Sequence, residues 1–342
     1  MTLWLIVFRS LRQHALSTVI TALSISLAGG LLISVWTVKE QSQAAFTGVN
    51  AGFDAVLGAR GAKLQLVLNS IFHLEESPGN LPWADYLDLQ KNASVALALP
   101  IAVGDNYKGF RLIGTTTNLF TQVEYAPGKR YQVTPPGRAF DMGFTEAVAG
   151  SFAAQRLKLK IGDTFHPYHG LLYNENDQHA ETYVIVGILE PSNTPADRVI
   201  WIPLEGLQNM NGHDAKAAAD ISAVLVKLKS PIAGRSLEQH YNKDGNRLTF
   251  AWPIAQIMAQ LFDKIAWFDR VLALVAYLVA LVATGSVLAS IYNSMSARRR
   301  DIAILRALGA RRRLIFCAVI LEATAIAALG MAAAFLVHGA II

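Results

Sequence analysis

The chain has 342 residues, 53% of them hydrophobic and only 16% charged, with a formal net charge of +5 and a pI near 9.3. An average soluble domain is nearer a quarter charged, so the composition argues against a wholly water-exposed protein. The basic balance does not mark a nucleic-acid binder either. Residues 39–268 carry 20 Lys and Arg against 22 Asp and Glu, and the surplus arginines lie beside the apolar runs.

Residues 1–14 place Arg9, Arg12 and His14 among apolar residues, which suits a short helix lying on the membrane surface. Ala15–Val38 then run 24 residues without a charge. A helix rising about 1.5 Å per residue needs about 20 apolar residues to cross the hydrocarbon core, so 15–38 reads as a first membrane helix. The run is too long for a cleaved signal, and VWTVKEQSQ after it holds no small-residue cleavage pattern, so it reads as a retained anchor. Gly29-Gly30 within it permit close helix approach, inside the chain or at a dimer seam.

Residues 39–266 read as a large α+β domain. Strand patterns fall at DAVLGA (54–59), VALALPIAV (95–103), YKGFRLIGT (107–115), TYVIVGIL (182–189), RVIWIPL (198–204) and AVLVKLK (223–229). Helical patterns fall at 64–74, at 82–90 with proline in the first turn, at 145–159 and at 203–210. A second lobe is expected as an insertion at about 116–180. The domain holds no cysteine, so burial alone must hold it together; the lone Cys317 falls in the last apolar run.

The region 267–296 contains a second uncharged run, Val271–Ile291, with small residues at Gly285-Ser286. Residues 314–342 form a third run, broken only by Glu322 and His338. Between them, 297–313 holds seven arginines around Asp301-Ile-Ala-Ile-Leu-Arg-Ala-Leu-Gly309. Arginine in short loops marks the cytoplasmic side. The N-terminus and 297–313 are then inside, and 39–266 outside.

The arginine-bracketed segment reads as a short capped helix. Asp301 complements the positive helix start, and Gly309 sits where a left-handed cap would end it. Ile302, Leu305 and Leu308 share one side and Ile304 falls on another, with Arg306 between them. Such a helix fits either a tight basic connector or a docking knob. Glu322 in the third span is costly to bury. It reads as a functional group or, more simply, as a carboxyl that fixes helix packing.

His166, His169 and His179, with Asp177 between, offer zinc-type ligands, but the spacing matches no standard structural site, so no metal is assigned and they stand as candidates only. Trp201, Phe165, Tyr168 and Phe72 fit either a cargo groove or a core. No nucleophile elbow, zinc-protease helix or phosphate loop occurs: Gly128-Lys129 lacks a glycine five positions earlier. No catalytic residue is assigned, and a nucleotide site would have to lie on a partner.

Four stretches resemble the FtsX-like, MacB-type permeases of bacterial ABC transporters, close to the lipoprotein-releasing LolC/LolE group. They are RRRDIAILRALGARRRLIF, GFDAVLGARGAKLQLVLNSIFHL, EAVAGSFAAQRLKLKIGDTF and VGILEPSNTPADRVIWIPLEGL with its T-P-x-D-R turn. The resemblance implies a multi-pass bacterial inner-membrane protein with an outer domain of porter and sabre-like lobes. It implies a dimer, with a second copy or a paralogue, and a separate cytoplasmic ATPase carrying ATP and Mg. It also implies mechanotransmission toward a hydrophobic, lipoprotein or peptide cargo, with periplasmic or lipoprotein partners. Docking to the ATPase then falls to Asp301, Ile302, Ile304, Leu305, Arg306, Leu308 and Gly309. The family usually has four membrane helices, and this chain ends with a third; it more often has glutamate where Asp301 stands. A membrane-anchored sensor without ATP coupling is the rival reading. An ion-coupled carrier is a second rival, but uninterrupted helices leave it little room.

Overall fold

Among the described residues, three helices are long and apolar enough to cross a membrane: Ala15–Gln41, Arg270–Ala289 and Arg312–Ile341. They belong to a computed structural model that describes residues 3–13, 15–47, 51–210, 219–297, 299–307 and 311–341. The chain divides into two compact units, one of residues 1–44 with 264–342 and one of residues 45–263.

The first unit contains α1 (Leu3–Gln13) and α2 (Ala15–Thr47). Val7 and Ser10 are buried on α1 while Phe8, Arg9 and Arg12 are exposed, an amphipathic division. Close packing joins α2 to the last helix of the chain, which spans Arg312–Ile341. A Cβ on Gly30 would stand 2.7 Å from the Cβ of Val337, and one on Gly330 would stand 2.7 Å from the Cβ of Ile25. Ser34 Oγ lies 3.1 Å from His338 Nδ1 on the same seam. Gly29-Gly30 therefore serve packing within the chain. Without a hydrophobic drive between helices in lipid, small residues are what let two backbones approach.

The second unit follows as β1 (Ala55–Ala59), α3 (Lys63–Ser70), β2 (Leu81–Pro82) and α4 (Trp83–Gln90). Next come β3 (Val95–Tyr107), β4 (Phe110–Thr115), α5 (Asn118–Thr121), β5 (Glu124–Ala126) and β6 (Lys129–Arg130). Then follow β7 (Glu146–Ala149), α6 (Ser151–Leu157), β8 (Thr164–Phe165), β9 (Tyr168–His169) and β10 (Tyr183–Ile188). The unit ends with β11 (Ile200–Pro203), α7 (Leu204–Gln208), β12 (Asp220–Ile221), β13 (Ala223–Leu228), α8 (Pro231–Gln239) and β14 (Leu248–Ala251). After it α9 runs from Ile254 to Ala297, α10 from Arg299 to Ala307, and α11 from Arg312 to Ile341.

One mixed sheet organises the outer unit in the order β14-β1-β13-β3-β4-β11-β7-β10-β8, with β9 pairing β3 off this path. Its strands bury both faces. Leu57, Leu112, Ile200 and Val226 point to one core with Leu89 of α4, Leu207 of α7 and Leu237 of α8. Val56, Ile113, Trp201 and Leu225 point to the other with Leu66 of α3 and Ile254 and Met258 of α9. The period-2 alternation of apolar residues on both sides is what a sheet covered by helices on both faces requires.

Strands β4, β11, β7, β10 and β8 follow one another on one side of β3 and β13, β1 and β14 on the other, while β5 and β6 pair apart as a two-stranded sheet. The helix expected at 145–159 is a strand and then a helix. Ala147, Val148 and Ala149 are fully buried and pair with β10 and β11, and α6 starts only after Gly150. A Cβ at Gly150 would stand 2.4 Å from the carbonyl oxygen of Asp197, so the strand-to-helix corner closes only over glycine.

Candidate functional site

The arginine-bracketed segment is helical. α10 covers Arg299–Ala307, with Asp301 as its third residue and Ile302, Ile304, Leu305 and Arg306 along it. Arg299, Arg300 and Arg306 are exposed, Ile302 is half-buried, and Ile304 is 50% exposed. The side chains of Asp301 and Leu305, and the whole of Leu308 and Gly309, lie outside the described residues. Ile304 is a single exposed apolar side chain among exposed arginines.

Glu322 sits half-buried on α11. Its neighbour Thr324 donates its hydroxyl to the Ile320 carbonyl at 2.8 Å, a bond within the helix. Gly285 on α9 has open space where a Cβ would stand, unlike Gly30.

In the outer unit, the T-P-x-D-R turn is a structural knot. Pro195–Arg198 form a 3₁₀ turn capped by Thr194, whose side chain accepts from Ala196 N–H. The buried Asp197 carboxylate accepts from the N–H groups of Ser192 and Asn193 and from Ser192 Oγ at 2.7–3.1 Å. Tyr131 lies within hydrogen-bond distance of Thr194 Oγ1 and donates to the Ala51 carbonyl, both at 3.2 Å. Burial pushes the Tyr131 phenol up, against the hydrogen bond from Thr194 that lowers it. Trp201, Phe165 and Phe72 are buried in the two cores, so they do not line a groove.

The histidines are regrouped by the fold. His166 Nδ1 lies 3.1 Å from the Glu181 carbonyl and takes no part in a cluster with the other two. Asp177 turns to Asn174, whose amide donates to it at 2.6 Å. His169 and His179 instead converge on Asp105, which no spacing in the sequence links to them. Asp105 Oδ1 lies 3.5 Å from His169 Nδ1 and 3.4 Å from His179 Nε2. A bulge at Gly104 shifts the β3 register, so that Asp105 and Asn106, consecutive in a strand, are both fully buried. Asn106 then pins the loop after β9, its amide donating to the Gly170 carbonyl at 2.9 Å and the Leu172 carbonyl at 3.3 Å. Tyr183 lies nearby: burial, then Glu181 and Asp105, raise its phenol.

Membrane-length helices before and after a large α/β unit in the chain, with a basic segment between the last two, define a multi-pass membrane protein bearing a large folded domain. Family models agree with both parts. A MacB-like periplasmic core domain matches residues 18–240 and an FtsX-like permease C-terminal region matches residues 273–342. The chain belongs to the MacB/FtsX-like permeases of ABC transporters, multi-pass proteins of the bacterial inner membrane with a periplasmic domain.

Among solved structures, the extracellular domain of the noncanonic ABC-type transporter YknZ from Gram-positive bacteria is 16% identical with a TM-score of 0.36. That match covers 58% of this chain and 99% of the other. The periplasmic region of MacB from Actinobacillus actinomycetemcomitans is 13% identical with a TM-score of 0.41, covering 63% and 94%. No curated protein matches the chain.

Proposed function

We propose that the chain is the motion-transmitting subunit of an ATP-driven transporter. Two permease copies, or this chain and a paralogue, carry cytoplasmic ATPase subunits that bind ATP and Mg. Those subunits grip α10, and their closure moves the outer domains against a hydrophobic, lipoprotein or peptide cargo.

One observation carries this reading. α9 contributes Ile254 and Met258 to a core of the outer unit, and the same unbroken helix contains the span Arg270–Ala289. A helix resists bending over several turns because every interior peptide is hydrogen-bonded along the axis. In this reading, displacement at its cytoplasmic end reaches the core residues at its other end along the chain. Exposed Ile304, flanked by Arg300 and Arg306, supports α10 as the grip: it offers an apolar contact and charges that hold the approach in register.

The test is co-purification of the full chain with ABC ATPase subunits of its own cell, for the natural chain and for Ile304→Asp combined with Leu308→Asp. The double variant is expected to lose the ATPase while still folding into membranes. Undiminished association of the variant would overturn docking through α10. A natural chain that retains no ATPase at all would favour the membrane-anchored sensor.

A further inference from the structure

We propose that Asp105, His169 and His179 bind one divalent transition-metal ion of the zinc class, which clips the hairpin of residues 168–179 onto strand β3. The ligating atoms of the three residues lie within 4.8 Å of one another.

The spacing is also that of ligands around a metal ion. Zinc bonds to imidazole nitrogen and carboxylate oxygen of about 2.0–2.1 Å put the ligand atoms of a tetrahedral site about 3.3–3.4 Å apart. The two imidazole-to-carboxylate separations are 3.4 and 3.5 Å. The His179–Asp105 contact is also a long hydrogen bond, which the ion would replace. An octahedral ion of the same bond length would draw neighbouring ligands to about 3.0 Å, so these two separations suit four-coordination better. Two imidazoles and a carboxylate leave a fourth position, and the 55% exposure of His169 opens that side to water.

The scaffold holds the ligands before any ion arrives. Asp105 and His169 are directly paired across β3 and β9. His169 N–H donates to the Asp177 carbonyl at 2.7 Å and His179 N–H to the Pro167 carbonyl at 2.9 Å, so both histidines are fixed by their own backbone. Asn106, next to Asp105, anchors the turn between them. A ligand set on paired strands needs little rearrangement to bind, which favours affinity. Imidazoles bind metal through a neutral ring nitrogen. Metal binding at this site is independent of ATP coupling.

The experiment is titration of the full chain, detergent-solubilised and without a polyhistidine tag, with Zn²⁺ by calorimetry and with Co²⁺ by visible absorption. One ion per chain and the intense bands of tetrahedral Co²⁺ are expected. His169→Ala, at an exposed position, and Asp105→Asn should each weaken binding by more than about 10-fold, the loss that removal of even an outer-shell partner can cause. His166→Ala should bind like the natural chain. No saturable binding, an octahedral Co²⁺ spectrum, or unchanged affinity in His169→Ala would overturn the site. Asp105→Asn could fail to fold because Asp105 is buried; His169→Ala then decides alone.

Discussion

A Cβ placed on Gly30 of α2 would stand 3.0 Å from the carbonyl oxygen of Ala334 on α11. Helix backbones in contact at that range leave no room for a side chain. Gly30→Val should therefore force the α2–α11 seam apart and destabilise the membrane unit by about 1–3 kcal/mol. Gly285→Ala, where no atom lies within 4 Å, should stay within about 0.5 kcal/mol. Thermal aggregation in detergent would compare them, and equal midpoints for the two variants would refute the seam.

Two distant points of the outer unit meet at Asp54. Its carbonyl accepts from Ile254 N–H at 3.3 Å, and its carboxylate accepts from Leu228 N–H at 2.8 Å. The residue thus joins the strand that enters the domain to the first turn of the helix that leaves it. Asp54→Ala strands the Leu228 N–H and should cost about 1–3 kcal/mol of stability. Chemical denaturation of the full chain measures this. Asp54→Asn keeps an acceptor oxygen and should lose less.

Gly150 makes a comparable demand through space and not through its dihedrals, which are ordinary for any residue. Gly150→Ala drives a methyl into the backbone of Asp197, and backbone cannot swing aside as a flexible side chain does. The Asp197 turn and the β7–α6 corner should loosen together. Faster amide exchange at Ser192 and Asn193, whose N–H groups Asp197 holds, is the expected sign. Unchanged exchange there would contradict it.

The membrane spans were legible because a long uncharged run fits little except a helix in lipid, and the strands at 95–103 and 183–188 because β-branched residues cluster between turns. Residues 145–149 misled because EAVA is short and apolar, which fits a helix start as well as a strand buried on both faces. Asp105 was invisible as a ligand for a different reason. It lies 64 positions before His169 in the sequence, and only the β3–β9 ladder brings them together. Spacing alone favoured His166, which the fold turns toward Glu181. A usable signal existed in Gly104-Asp105-Asn106: two adjacent polar residues after glycine in an apolar strand mark a bulge with something to hold.

His73 gives the outer unit a pH dependence. It is buried in a left-handed backbone conformation, φ 55°, with its ring edge-on to Trp201 at 5.8 Å. Burial, reinforced by the Arg111 charge, lowers its pKa from 6.5 to about 3. Between those values the unfolded chain holds the proton and the folded one does not, so acid favours unfolding. The stability His73 confers is complete above pH 6.5 and falls by up to about 1.4 kcal/mol per pH unit below it, until the folded form also protonates near pH 3. His73→Asn tolerates the left-handed backbone and cannot titrate. Between pH 6.5 and 5 the natural chain should lose about 1.6 kcal/mol more than this variant. Denaturation midpoints at the two pH values compare them, and parallel losses would show that His73 is already protonated inside the fold.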